Sequence, residues 1–166
     1  MKGENMPKQI TAKPLQYKAT DIANYFIWKA RKEGKPISNK KLQKLLYYSQ
    51  AWHLVLDDGK PLFDEDFEAW VHGPVIPSIY QKYKKYGFNP IDKKIDHNPI
   101  DDEKTSFLDQ IWDIYGKLDA EYLELLTHRE EPWQSARDGL ESKSKSNTTI
   151  DRKLMKKYYE KKLHAK

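Results

Sequence analysis

Residues 38–59 constrain the fold more than any other stretch. Leu42, Leu45, Leu46, Ser49, Trp52, His53 and Leu56 recur at i, i+3, i+4, i+7, i+10, i+11 and i+14, the spacing of one helical face. Ser38 supplies a cap before that run, and Asp58-Gly59 a left-handed stop after it. So long an apolar face needs partners along its length. The rest of the chain offers them. Thr20 as a cap, then Ile22, Tyr25, Phe26 and Ala30 up to Gly34 and Pro36, predict a preceding helix. Asp101 or Asp102 starts a long helix with Phe107, Ile111, Tyr115, Leu118, Tyr122 and Leu125 as its stripe, which Gly116 is placed to kink or split. Glu131-Pro132-Trp133 opens a short helix ending at Gly139. Asp151 caps a last one with Leu154, Met155, Tyr158, Tyr159 and Leu163 on one side.

Helical spacing lapses between residues 61 and 75. Phe67, Ala69 and Val71 alternate with Glu68, Trp70 and His72, which predicts a short strand with Pro61–Phe63 as its candidate partner and His72-Gly73-Pro74 as its end. Helical spacing returns over Val75–Tyr86. The fold expected is mainly α, a compact helical domain of six or seven helices with one short β-hairpin element. Its parts are an irregular N-terminal arm (1–19), the helical domain (20–140), and a basic linker with a C-terminal helix (141–166). A third of the residues are charged, but 5 Trp, 11 Tyr and 5 Phe give the chain enough apolar area for a core.

The chain has no cysteine, so it has no disulfide, thiolate metal site or cysteine nucleophile. With no apolar run near membrane-spanning length and no apolar core in MKGENMPKQ, a cytoplasmic protein is expected, with no membrane contact. The net charge of +5 is uneven. Residues 1–18 carry four lysines against one acid and 141–166 nine basic residues against three, while 19–140 carries 17 basic and 21 acidic residues. Nucleic acid is therefore a partner to weigh at the two ends, alongside an acidic protein.

Catalytic patterns are missing from the sequence. The five histidines fall at no i, i+3 or i, i+4 spacing, and His-Glu-x-x-His does not occur. The acidic run from Asp57 to Glu68 lacks the spacing of a calcium loop. Neither a phosphate-binding glycine loop nor a Gly-x-Ser-x-Gly elbow is present. His128 with Glu130 or Glu131, or His72 with a nearby carboxylate, would be the only acid–base pairs on offer, and a helix-joining role accounts for the first equally well. Tyr80, Tyr83 and Tyr86 interleave with Lys82, Lys84 and Lys85, a pattern that fits either base stacking or rings buried with wet hydroxyls.

Motif order adds to this. Lys41-Leu-Gln-Lys-Leu-Leu-Tyr-Tyr-Ser-Gln-Ala-Trp52, Pro61-Leu-Phe-Asp64, Glu68-Ala-Trp-Val-His-Gly-Pro-Val-Ile-Pro77 with Tyr80, and Leu126-Thr-His-Arg-Glu-Glu-Pro-Trp133 with Ala136-Arg137 together resemble the Panacea domain. That family is also called the SocA-like antitoxin or phage-associated GepA family. The likeness runs over residues 20–140, with His72 where the family often has Tyr. It implies a helical antitoxin with no enzymatic activity and no cofactor or metal. Such a protein neutralises a cognate protein toxin, encoded next to it, by forming a complex, in one variant delivering it to a protease. The partner-binding residues this suggests are Trp70, His72, Tyr80, Thr127, His128, Trp133 and Arg137.

Overall fold

The computed structural model describes residues 16–141 and 143–165. The expected N-terminal arm lies outside the described residues up to position 15. Among the described residues there are seven α-helices and one hairpin: α1 (Ala19–Lys32), α2 (Asn39–Leu56), β1 (Glu68–Trp70), β2 (Gly73–Val75), α3 (Pro77–Tyr83), α4 (Asp102–Tyr115), α5 (Ala120–His128), α6 (Glu131–Ala136) and α7 (Arg152–His164). The mainly helical expectation holds. No helix among the described residues is long and apolar enough to cross a membrane.

α2 is the axis of the molecule. Ser38 Oγ accepts from the Lys41 N–H (3.2 Å), as its cap position requires. Every residue from Leu42 to Ala51 is buried, so the helix is enclosed on all sides rather than on one stripe. Its two buried glutamines are satisfied internally. Gln50 donates to the Phe63 carbonyl (2.7 Å) and accepts from the Leu62 N–H (2.7 Å). Gln43 accepts from the Ile76 N–H (2.9 Å) and donates to Asn39 (3.0 Å). Leaving such buried groups unpaired would cost about 1–3 kcal/mol each. These two glutamines position the extended segments on either side of the hairpin.

Several expectations are corrected. α1 begins one residue before Thr20, its N-cap position taken by Lys18, whose N–H is bonded by Asp21 (2.8 Å). β1 pairs antiparallel with β2, not with Pro61–Phe63, because Gln50 already occupies the backbone groups of that segment. Val75 therefore belongs to a strand, and α3 starts at Pro77, where a missing N–H costs nothing. Pro74 faces Ala69 in the register and needs no cross-strand donor there. The long helix is split: Tyr115 ends α4, and the Asp119 carboxylate, accepting from the Tyr122 N–H (2.8 Å), restarts the chain as α5. The restart resets the helical phase, so Leu123 and Thr127 are buried while Tyr122 and Leu125 face solvent.

α7 packs on the body. Met155 and Tyr159 join the core, with Tyr159 against Tyr47, Tyr48 and Trp52. The segment before it runs along the outer edge of β1: Ala69 N–H donates to Thr148 O (2.8 Å) and Ile150 N–H to Phe67 O (2.8 Å). Arg152 anchors the start of α7 on Asp64 and Asp66.

Candidate functional site

The hairpin reverses at Val71-His72, between Trp70 and its register partner Gly73. Gly73 has φ +108°, a conformation that favours glycine, and a Cβ there would lie 2.5 Å from Lys44 Cε and 2.9 Å from Thr127 Oγ1. The tip is therefore pressed directly onto α2 and α5.

All seven expected residues lie around this hairpin. In the register Ala69 faces Pro74, so the Ala69 backbone looks away from β2; its carbonyl is taken by Arg137 Nη1 (2.9 Å). The same guanidinium bonds the carbonyls of Glu141 (3.1 Å) and Ser144, and stacks on Trp133 with its central carbon 4.9 Å from a ring centroid. Trp133 in turn donates its indole N–H to the Trp70 carbonyl (2.8 Å) and stacks on His128 (4.1 Å, 21°). Thr127 is fully buried, with its hydroxyl donating to the Glu124 carbonyl (2.8 Å). Trp133 and Arg137 thus act inward, holding the hairpin by its carbonyls, while Thr127 packs beneath Gly73 with its hydroxyl bonded inside α5. Trp70, His72 and Tyr80 face out to different degrees. Trp70 packs edge-on against Tyr80 (5.0 Å), both half-buried, and the His72 side chain is 71% exposed.

Four charged groups complete this site, and three of them, Lys40, Lys44 and Glu124, had no signature in the spacing. Lys40 pairs with the Glu124 carboxylate, whose other oxygen lies 3.2 Å from His72 Nδ1 and 3.9 Å from His128 Nε2. Burial alone pushes the Glu124 carboxyl up, but the bonds from Lys40 and His72 outweigh it and hold the group below the usual carboxylate range. Burial pushes the His128 imidazole below its ordinary value. Lys44 is fully enclosed beneath Gly73-Pro74; its ammonium has a long bond to the Pro74 carbonyl (3.4 Å), and burial pulls its pKa down to about 7. Glu130 is the fourth, a buried carboxylate accepting from the hydroxyls of Tyr48 (3.2 Å) and Tyr159.

The two histidines thus share one carboxylate, but they do so at a hairpin tip. An open cleft of about 170 Å³, lined by Glu33, Lys35, Trp112, Asp113, Gly116 and Lys117, contains neither of them. Among the described residues no group of three or more His, Asp or Glu side chains is arranged to hold a metal ion. The Tyr80–Tyr86 rings are not a continuous stacking track: Tyr83 is buried, and Tyr86 stacks on it (6.5 Å, 29°).

Comparison with known proteins gives a consistent result. Residues 42–134 match the family described as antitoxin SocA-like, Panacea domain. The chain is 33% identical over 143 residues to antitoxin SocA of Caulobacter vibrioides (strain NA1000 / CB15N), an alignment covering 78% of this chain and 76% of that protein. No solved structure matches it. The family match takes in the hairpin, α5 and Trp133, and stops short of Arg137 and α7.

Proposed function

This chain belongs to the SocA-like antitoxin, Panacea-domain family, and on that premise we propose that it is a non-catalytic antitoxin that neutralises a cognate protein toxin by binding it directly. The reading is carried by the division of work around the hairpin. Arg137 and Trp133 are spent on hairpin carbonyls from the inside and Thr127 packs beneath Gly73, which leaves Trp70, His72 and Tyr80 on a surface that is already set. A preformed aromatic surface binds without paying for its own ordering, and Trp and Tyr are the side chains that most often dominate interface energetics. His128 and His72, both near the Glu124 carboxylate at the hairpin tip, serve this reading as hairpin supports rather than as an acid–base pair. Of the basic side chains in α7, Arg152, Lys156 and Lys162 already have carboxylate partners, which lessens the case for that helix as a DNA contact.

The test is growth of cells expressing the neighbouring reading frame, with and without this protein. Toxicity that co-expression relieves, with the two proteins copurifying, is the expected result. Trp70→Ala with Tyr80→Ala should then weaken the complex at least tenfold. A harmless neighbour that does not copurify would refute the reading. Lifetime of the toxin separates masking, which leaves it unchanged, from delivery to a protease, which shortens it.

A further inference from the structure

α3 leads from the hairpin into a 3₁₀ turn (Lys84–Tyr86) and then into a reversal at Gly87, where φ is +59°. The reversal is rigidly built. The Asn89 N–H donates to the Tyr86 carbonyl (3.0 Å), the Ile91 N–H to the Ile37 carbonyl (2.8 Å), and the Tyr86 hydroxyl to the Asp92 carbonyl (3.1 Å). Ile91 is buried beneath it. At its tip Phe88 is 91% exposed, the most exposed large apolar side chain among the described residues.

The surroundings of Phe88 are basic. Residues 82–94 carry Lys82, Lys84, Lys85, Lys93 and Lys94 against Asp92, a net of +4, whereas the rest of 19–140 carries 12 basic and 20 acidic residues, a net of −8. Arg31 takes up Asp92 (3.5 Å). None of the five lysines pairs with a carboxylate among the described residues. Burial, and then the neighbouring Lys82 charge, push the Lys93 ammonium below its usual value. A lone exposed Phe on a fixed turn, flanked in sequence by five lysines without carboxylate partners, marks a strongly charged island on an acidic body.

We propose that residues 82–94 form a docking knob, with Phe88 entering an apolar pocket on the cognate toxin and the lysines meeting a carboxylate rim around that pocket. This rests on the antitoxin reading and adds the chemistry of the partner. The rings favour a protein over a run of stacked bases. The Lys85 ammonium lies over the Tyr86 ring (5.2 Å) and that of Lys93 over Tyr83 (5.7 Å), while those two rings stack on each other. That leaves one free ring, a single anchor rather than a track. Rim lysines would speed encounter with an acidic surface and give it a salt dependence. The knob and the Trp70–Tyr80 pair share α3, so both can engage one partner.

The test uses the full chain and the toxin that copurifies with it. Affinity and association rate are measured for the native protein, for Phe88→Ser, and for Lys84→Glu with Lys85→Glu and Lys93→Glu. Phe88→Ser is expected to raise Kd at least thirtyfold with Tm unchanged, since an exposed ring contributes little to folding. The charge reversal takes residues 82–94 from a net of +4 to −2, and is expected to slow association at least tenfold at low salt and to invert its dependence on salt. Wild-type affinity in both variants, with the toxin still copurifying, would overturn the knob while leaving the antitoxin reading intact. Loss of binding to a 20-nucleotide single strand in Phe88→Ser, with toxin affinity unchanged, would overturn it in favour of nucleic acid. Failure of the native protein to bind the toxin at all would remove both readings.

Discussion

Replacing Lys44 by Met should make the protein more stable. Lys44 is enclosed between α2 and the hairpin, and its ammonium has a single long bond to the Pro74 carbonyl (3.4 Å). The charge of Glu124 helps the ammonium and that of Lys40 opposes it, but burial dominates and brings the pKa from 10.5 to about 7. The unfolded chain therefore holds this proton up to a pH near 10, whereas the folded chain releases it near 7. Burial of the group opposes folding throughout the neutral range, and the penalty fades as pH rises between those two values. At roughly 1.4 kcal/mol per pKa unit, it amounts to about 4 kcal/mol at pH 7 and about 1 kcal/mol at pH 10. Lys44→Met, of similar length, loses the Pro74 bond at a cost of about 1 kcal/mol. The variant should thus gain about 3 kcal/mol at pH 7 and near zero at pH 10. Urea unfolding of both proteins at pH 7, 8, 9 and 10 measures this, because titrating groups that do not interact with Lys44 cancel in the difference. A variant less stable than the native protein by 2 kcal/mol or more, by the same amount at each pH, would refute the reasoning. Lys44 would then be a well-compensated cation.

Two further substitutions probe the hairpin. Gly73→Ala places a methyl 2.5 Å from Lys44 Cε at a φ of +108°, so it should cost at least about 2 kcal/mol in urea unfolding, with part of the loss recovered in a Lys44→Ala background. Arg137→Ala strips donors from the carbonyls of Ala69, Glu141 and Ser144; it should cost about 2–4 kcal/mol and open residues 143–147 to limited proteolysis, while Arg137→Lys rescues only part of both effects.

What the sequence made legible was mostly local. Ser38 and the run from Leu42 to Leu56 marked α2 because capping and helical periodicity depend on neighbours within four residues. The same holds for Asp151 before α7 and Pro132 inside α6. The hairpin was half legible: alternation located β1, but its partner depended on which backbone groups Gln50 had already taken. The stripe through Tyr122 and Leu125 failed because one capping aspartate, Asp119, reset the phase. Lys44 and Glu124 gave no signal, since a charged residue in a helical run reads as surface until helices are known to cover it from several sides. The seven residues suggested by motif order converge on one hairpin, whose inward-facing members hold its backbone through contacts spanning up to 68 positions.

Segment 148–150 and α7 impose an order on synthesis. β1 and β2 are complete once residue 75 is made, yet the segment that bonds the outer edge of β1 begins 73 positions later, at Thr148. At about 5–20 residues per second, a ribosome leaves that edge unpaired for roughly 4–15 seconds. Over the same interval the faces of Tyr47, Tyr48 and Trp52 that receive Tyr159 stay uncovered. A stalled nascent chain, or one cut after Ser144, would display both, which are the features that chaperones and degradative proteases recognise. The cellular supply of competent molecules would then depend on how reliably translation passes position 159.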